Sequence, residues 1–324
     1  MHRIVLACYP GVQPLDIVGP HEVFVGANAT LEHFGRRSDR YKVIVASMER
    51  GPITGESGLM LVAPHSLGQC EVPDTLLVAG GDGVFAAAAD GATVAEIGRL
   101  ALGAGRVGSV CSGTFLLAAT GVLEGRRVTT HWRRAARLAT EHPTLRVDAD
   151  AIYVQDGNVW TSAGVTAGID LALALVEADH GAEIAQTIAR HLVMFLRRPG
   201  GQSQFAAPVW DPPTEIAAVR DAKDLVNANP AADLRVGALA ASINMSERHF
   251  TRVFAADVGE PPAKYVERVR VEAARRYLEE RGATVASVAT RCGFGTPETM
   301  RRAFLRRVGV APDDYRRRFT RAQP

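Results

Sequence analysis

The chain is short of the residues that staple or anchor a protein. It has four cysteines in 324 residues, Cys8, Cys70, Cys111 and Cys292. They are widely spaced and form no CxxC pair, which excludes a zinc or disulfide framework and suits free thiols in a reducing cytoplasm. No apolar run has membrane-spanning length, so no membrane partner is expected. The opening "MHRIVLACYP" goes straight into a strand-like segment, without the long apolar region and small-residue cleavage site of a secretory leader. Nothing in the pattern asks for a metal or an organic cofactor. Strong net charge is missing too, at +2 overall.

What is present is an ordinary globular composition, 47% hydrophobic and 22% charged, in a length that suits two domains. The small net charge hides an asymmetry. Residues 1–214 hold 17 Lys+Arg against 21 Asp+Glu, a net of −4, and residues 215–324 hold 20 against 14, a net of +6. A basic C-terminal part points to a polyanionic partner. Between the parts, "RRPGGQSQFAAPVWDPP" is rich in Gly and Pro and has no periodicity, so residues 197–214 read as a linker.

Before the linker, "RIVLAC" (3–8), "YKVIVAS" (41–47), "TLLVAG" (75–80) and "RVGSV" (106–110) are apolar runs of the kind buried on both faces of a parallel sheet. Helices are expected at about 16–34, 91–104 and 112–120, and a helical stretch from about Val165 to Leu196. Asp156-Gly157, between two alternating runs, signals a hairpin. The pattern is an α/β domain, a mostly parallel sheet with helices on both faces, whose ligands bind at the carboxyl ends of the strands. The segments after those strands carry Asp16 and Glu22, the loop Gly80–Gly83 and Cys111-Ser112, and His131 follows a further strand-like segment, "RRVTT" (126–130). At the head of a helix the Cys111 thiolate is expected to be favoured. Backbone amides of Gly81 and Ser112 would form an anion or oxyanion hole. His131 is expected to pair with the thiol, and Asp16 to bond the sulfur.

"VCSGTFLLAATGVLEGRRVTTHW", with "LDIVGPHEVF" and "TSAGVTAGIDL", resembles the class I glutamine-amidotransferase-like superfamily, in the branch of PfpI-type proteases and isocyanide hydratases, over about residues 3–195. The resemblance implies a flavodoxin-like fold. It makes Cys111 the elbow cysteine, Asp16 the acid that contacts it and His131 a pocket histidine. A glutaminase has an acid two residues after its histidine, where this chain has Arg133, and the hydratases typically have Thr after the cysteine, where this chain has Ser112. Asp16, Gly81, Cys111, Ser112 and His131 are therefore expected to form a ligand pocket rather than a catalytic site.

The C-terminal part contains an internal repeat. Residues 236–265 align with 285–315: Ala240 pairs with Ala289 and Ile243 with Cys292, then, after one inserted residue, Phe254 with Phe304, Gly259 with Gly309, Pro262 with Pro312 and Tyr265 with Tyr315. Each copy reads helix, short turn, helix, with Ser246 or Thr296 as the N-cap of the second helix. Arg248 and Arg252 in the first copy, and Arg301, Arg302 and Arg306 in the second, are expected on the outer faces as DNA contacts. A connecting helix is expected over about 262–280. The segment 215–320, with "ATRCGFGTPETMRRAFLRRVGVAPDDYRR", resembles the AraC/XylS DNA-binding domain. The two resemblances in this order are those of the GlxA/AdpA-like regulators.

The expected organisation is thus an amidotransferase-like sensor or dimerisation domain over 1–196, the linker 197–214, and an all-α double helix-turn-helix domain over 215–324. The implied function is a sequence-specific, cytoplasmic transcription regulator. Its expected partners are double-stranded DNA, a small-molecule effector, a second copy of the chain and RNA polymerase. A second reading stays open at this point: a cysteine-dependent hydrolase or hydratase with an accessory DNA-binding domain.

Overall fold

Short Val/Ile/Leu runs build the centre of the first unit. In the computed structural model, which describes residues 1–198, 200–205, 214, 216–280 and 282–319, the chain forms two compact units, Met1–Arg198 and Pro199–Pro324. Half of the expected linker 197–214, residues 199 and 206–213, lies outside the described residues.

The strands of the first unit are β1 (His2–Ala7), β2 (Tyr41–Ser47), β3 (Gly51–Thr54), β4 (Met60–Ala63), β5 (His65–Ser66), β6 (Thr75–Val78), β7 (Arg106–Val110), β8 (Arg127–Val128), β9 (Arg146–Val147), β10 (Tyr153–Asp156) and β11 (Val159–Ser162). Seven of them make one sheet in the order β10-β11-β7-β6-β1-β2-β5. The pairs along it are parallel except β10–β11, the hairpin that turns at Gly157. Ile4, Val5, Leu6 and Ala7 are buried, as are all four residues of β6 and β11, because helices cover both faces.

Those helices are α1 (Pro14–His33), α2 (Val84–Ala89), α3 (Gly91–Gly103), α4 (Gly113–Ala119), α5 (Trp132–Glu141), α6 (Ala167–His180) and α7 (Ala182–His191). The helical stretch expected over 165–196 consists of two helices, α6 and α7. Gly181 takes φ 90°, a left-handed value that ends α6 and starts α7. The β3–β4 pair, β9, α2 and α5 were not anticipated.

The second unit is helical: α8 (Ala217–Ala228), α9 (Val236–Ser242), α10 (Glu247–Val258), α11 (Pro262–Leu278), α12 (Val285–Arg291), α13 (Pro297–Val308) and α14 (Pro312–Phe319). It has two cores. Val219, Leu239, Phe250, Phe254 and Tyr265 fill the first, and Leu278, Val288, Met300, Phe304 and Tyr315 fill the second. The helix α11, expected over 262–280, serves both: Tyr265, Val266 and Val269 enter one core, and Val271, Ala274 and Leu278 the other. The repeat is visible in the packing. Phe254 meets Tyr265 edge-on at 5.3 Å, and Phe304 meets Tyr315 in the same way at 5.3 Å.

Candidate ligand pocket and nucleic-acid interface

The strand β7 runs directly into Cys111, whose φ of 57° is left-handed and rare for a residue with a Cβ. Its surroundings hold it there. Its N–H donates to the Ser162 carbonyl at 3.0 Å, and its carbonyl accepts from Thr130 Oγ1 at 2.8 Å and Thr114 Oγ1 at 3.3 Å. Two glycines make room for the side chain. A Cβ on Gly80 would lie 2.6 Å from the Cys111 Cβ, and one on Gly164 would lie 2.6 Å from its Sγ.

The thiol faces a pocket of about 280 Å³ at the carboxyl edge of the sheet, lined among others by Gly81, Cys111, Ser112 and His131. Four of the five expected residues therefore meet there. Asp16, in the first turn of α1, lies behind the pocket, 1% exposed, and accepts from the backbone N–H of Gly80 and of Val165, each at 2.9 Å. It makes no hydrogen bond to the sulfur; its carboxylate instead organises the two loops that flank the cysteine. Burial raises its pKa to about 7, against those two amides. Glu22 is exposed and lies in a different groove, between α1 and α7.

Three expectations are corrected. The helix-head position does not lower the Cys111 pKa: burial, with the Asp16 charge adding to it, pushes it up to about 12, outweighing the hydrogen bonds from Ser112. The helix it precedes, α4, spans only seven residues. The Gly81 amide is not open to an oxyanion, because it donates to Ser112 Oγ at 2.9 Å while that hydroxyl donates back to the Gly81 carbonyl at 3.1 Å. His131 does not pair with the thiol. Its Nδ1 accepts from the Arg133 N–H at 3.3 Å and so caps α5. Burial and then the Arg133 and Arg134 charges hold it towards the neutral form.

Sequence reading missed the acidic rim. Glu56, from the turn between β3 and β4, accepts from Gln13 Nε2 at 2.6 Å and from the Asp82 N–H at 2.8 Å. Asp82 in turn pairs with Arg134 at 3.1 Å. No motif marks Glu56; it reaches the pocket only because the β3–β4 hairpin folds back over it.

In the second unit both helix-turn-helix copies close as expected. The Ser246 hydroxyl accepts from the His249 N–H at 3.4 Å, and that of Thr296 from the Thr299 N–H at 3.1 Å. Gly259 and Gly309 end α10 and α13 in the left-handed region, at φ 80° and 77°. Arg248, Arg252, Arg301, Arg302 and Arg306 are all exposed. They are not equally available. Arg252 Nη2 lies 3.2 Å from His249 Nδ1. Arg301 holds Glu298 with two bonds of 2.7 and 2.9 Å, with Arg302 3.8 Å from the same carboxylate, and Arg306 pairs with Glu267 on α11 at 2.6 Å.

Comparison with known proteins agrees with both units. The DJ-1/PfpI family model matches residues 2–178, and a helix-turn-helix domain model matches residues 239–318. The HTH-type transcriptional regulator Rv1931c of Mycobacterium tuberculosis is 36% identical over 261 residues, covering 76% of this chain and 95% of that protein. The isonitrile hydratase of Pseudomonas putida is 36% identical over 185 residues, covering 57% of this chain and 75% of the enzyme. The crystal structure of a ThiJ/PfpI family protein from Pseudomonas syringae aligns with a TM-score of 0.53 at 25% identity, covering 83% of this chain and 90% of that one.

Proposed function

The chain belongs to the DJ-1/PfpI family and is a DNA-binding transcription regulator with an AraC-type helix-turn-helix domain, and we propose that its Cys111 pocket binds a small-molecule effector and does not turn over substrate. The observation that carries this reading is the state of the Gly81 amide. Acyl-transfer chemistry needs N–H groups aimed at the developing oxyanion, and here that amide is bonded to Ser112 Oγ. A thiol at about 12 beside a histidine engaged in capping a helix is also a nucleophile without a base.

In this reading the five arginines Arg248, Arg252, Arg301, Arg302 and Arg306 form the DNA-facing surface. Residues 1–196 sense and dimerise, residues 197–214 link, and the regulator acts on promoter DNA in the cytoplasm together with RNA polymerase. The opposing reading draws on the hydratase relative. A panel of amides, isocyanides and glyoxals, assayed beside promoter DNA binding, separates the two. The expected result is salt-dependent DNA binding with turnover well below about 1 per second. Turnover at or above that rate, abolished in Cys111→Ala, overturns the proposal.

A further inference from the structure

Aligned on itself, the repeat places opposite charges near the start of its two recognition helices. The recognition helices α10 and α13 begin alike, at Ser246-Glu247-Arg248 and Thr296-Pro297-Glu298, and their caps and left-handed C-terminal glycines correspond. The second helical residue is Arg248 in one head and Glu298 in the other. In a helix-turn-helix the N-terminal residues of the recognition helix approach the base edges. Arg248 is exposed and makes no hydrogen bond or ion pair with any described residue. The Glu298 side chain is 56% exposed and is held by Arg301 and approached by Arg302.

From this we infer that the two heads read different base pairs: Arg248 selects guanine, and Glu298 selects cytosine in the other half of the site. The chemistry is that of the major-groove edges. A guanidinium donates to both O6 and N7 of guanine. A carboxylate only accepts, and cytosine presents the N4 amino donor. Adenine presents its N6 donor beside the N7 acceptor, which repels a carboxylate, and guanine and thymine present acceptors at the corresponding positions. A bare carboxylate is also repelled by the phosphates. Arg301 answers that, because its guanidinium neutralises Glu298 and fixes its orientation. An exposed ion pair of this kind is worth little to stability, so its arrangement costs the fold little to keep or to change. Arg301 is thus a positioning residue for Glu298 rather than a base reader. The operator is then two unlike half-sites, roughly 34 Å apart on one face of the duplex.

The test uses the full chain and a pool of randomised duplex DNA, selecting bound sequences for the wild type and for Glu298→Gln, Glu298→Arg and Arg248→Glu. The wild type is expected to select two dissimilar half-motifs. Glu298→Arg is expected to replace cytosine by guanine at one position of one half and leave the other half intact. Arg248→Glu is expected to make the reverse change in the other half. Glu298→Gln is expected to lose roughly ten-fold in preference for cytosine at that single position, and Arg301→Ala to blur the same position. Unchanged base preferences in Glu298→Arg overturn the inference while leaving DNA binding itself in place. A uniform change in affinity of Glu298→Gln on all sequences, with the base preferences kept, also overturns it, since that is the mark of a charge felt only by the phosphates. Identical half-motifs in the wild type do so as well.

Discussion

Asp16 shows how a residue can be found in the sequence and its role misread. Its position after the first strand placed it beside the pocket, and it is there. What the sequence did not reveal is that both its oxygens are taken by backbone amides and that burial moves its pKa from 3.8 to about 7. A carboxyl whose folded pKa is raised favours folding while it is protonated, and that contribution is lost as pH rises through the folded value. The effect amounts to about 4 kcal/mol between the two ends of that window. The Asp16→Asn variant stays neutral throughout. The stability of the wild type relative to Asp16→Asn should therefore rise as pH falls from about 8 to about 4. Taking the difference matters because His2, His131 and His180, whose pKa values are lowered, destabilise the fold as pH falls, and they do so in both proteins. Calorimetric Tm values for the first unit across that range check it, and a flat difference contradicts the assignment. Cys111 follows the same logic with the sign reversed for reactivity. Of the four thiols it alone is only partly buried, yet with a pKa near 12 it holds almost no thiolate at neutral pH. Its rate of alkylation, followed by mass spectrometry, should be slow at pH 7 and still climbing at pH 10, where an ordinary thiol has levelled off. A plateau below pH 9 means the thiol is activated after all.

The elements differ in how legible they were, and the differences have physical causes. The parallel strands stood out because burial on both faces demands an unbroken apolar run, as in Val5–Ala7 and Leu76–Val78. The β3–β4 hairpin did not, because its outer face carries Met60 and Val62, both exposed, so the alternation that would mark a half-buried strand is missing. The caps of the recognition helices were the most transparent features of all, since a hydroxyl residue before an apolar-periodic segment has one dominant use. They also admit a simple comparison. Ser246→Ala and Thr296→Ala should each cost about 1 kcal/mol, measured by denaturant unfolding of the second unit in the full chain. The same changes at Ser242, which bonds back to the Leu239 carbonyl, and at Thr290, which bonds back to that of Ala286, should cost less. Equal costs at all four sites would mean that the caps contribute nothing special to these helices.

At the scale of the whole molecule the charge asymmetry and the duplicated head argue together for a second copy. A net of +6 in residues 215–324 is a modest attraction for DNA. The acidic residues 1–214 add none. Linking two such modules through another part of the chain raises the effective concentration of the second binding event, without any new DNA contact. The first unit is the part able to do this without competing for the duplex. Full-length protein should therefore be dimeric at micromolar concentration by analytical ultracentrifugation, and a fragment of residues 215–324 should be monomeric and bind the selected operator more weakly. Fusing that fragment to an unrelated dimerisation domain should restore much of the lost affinity, with a steeper dependence on salt than the monomer because more phosphates are neutralised per complex. A monomeric full-length protein, or a fragment that dimerises and binds as tightly as the whole chain, would remove the first unit from this role and leave it with the proposed effector pocket alone.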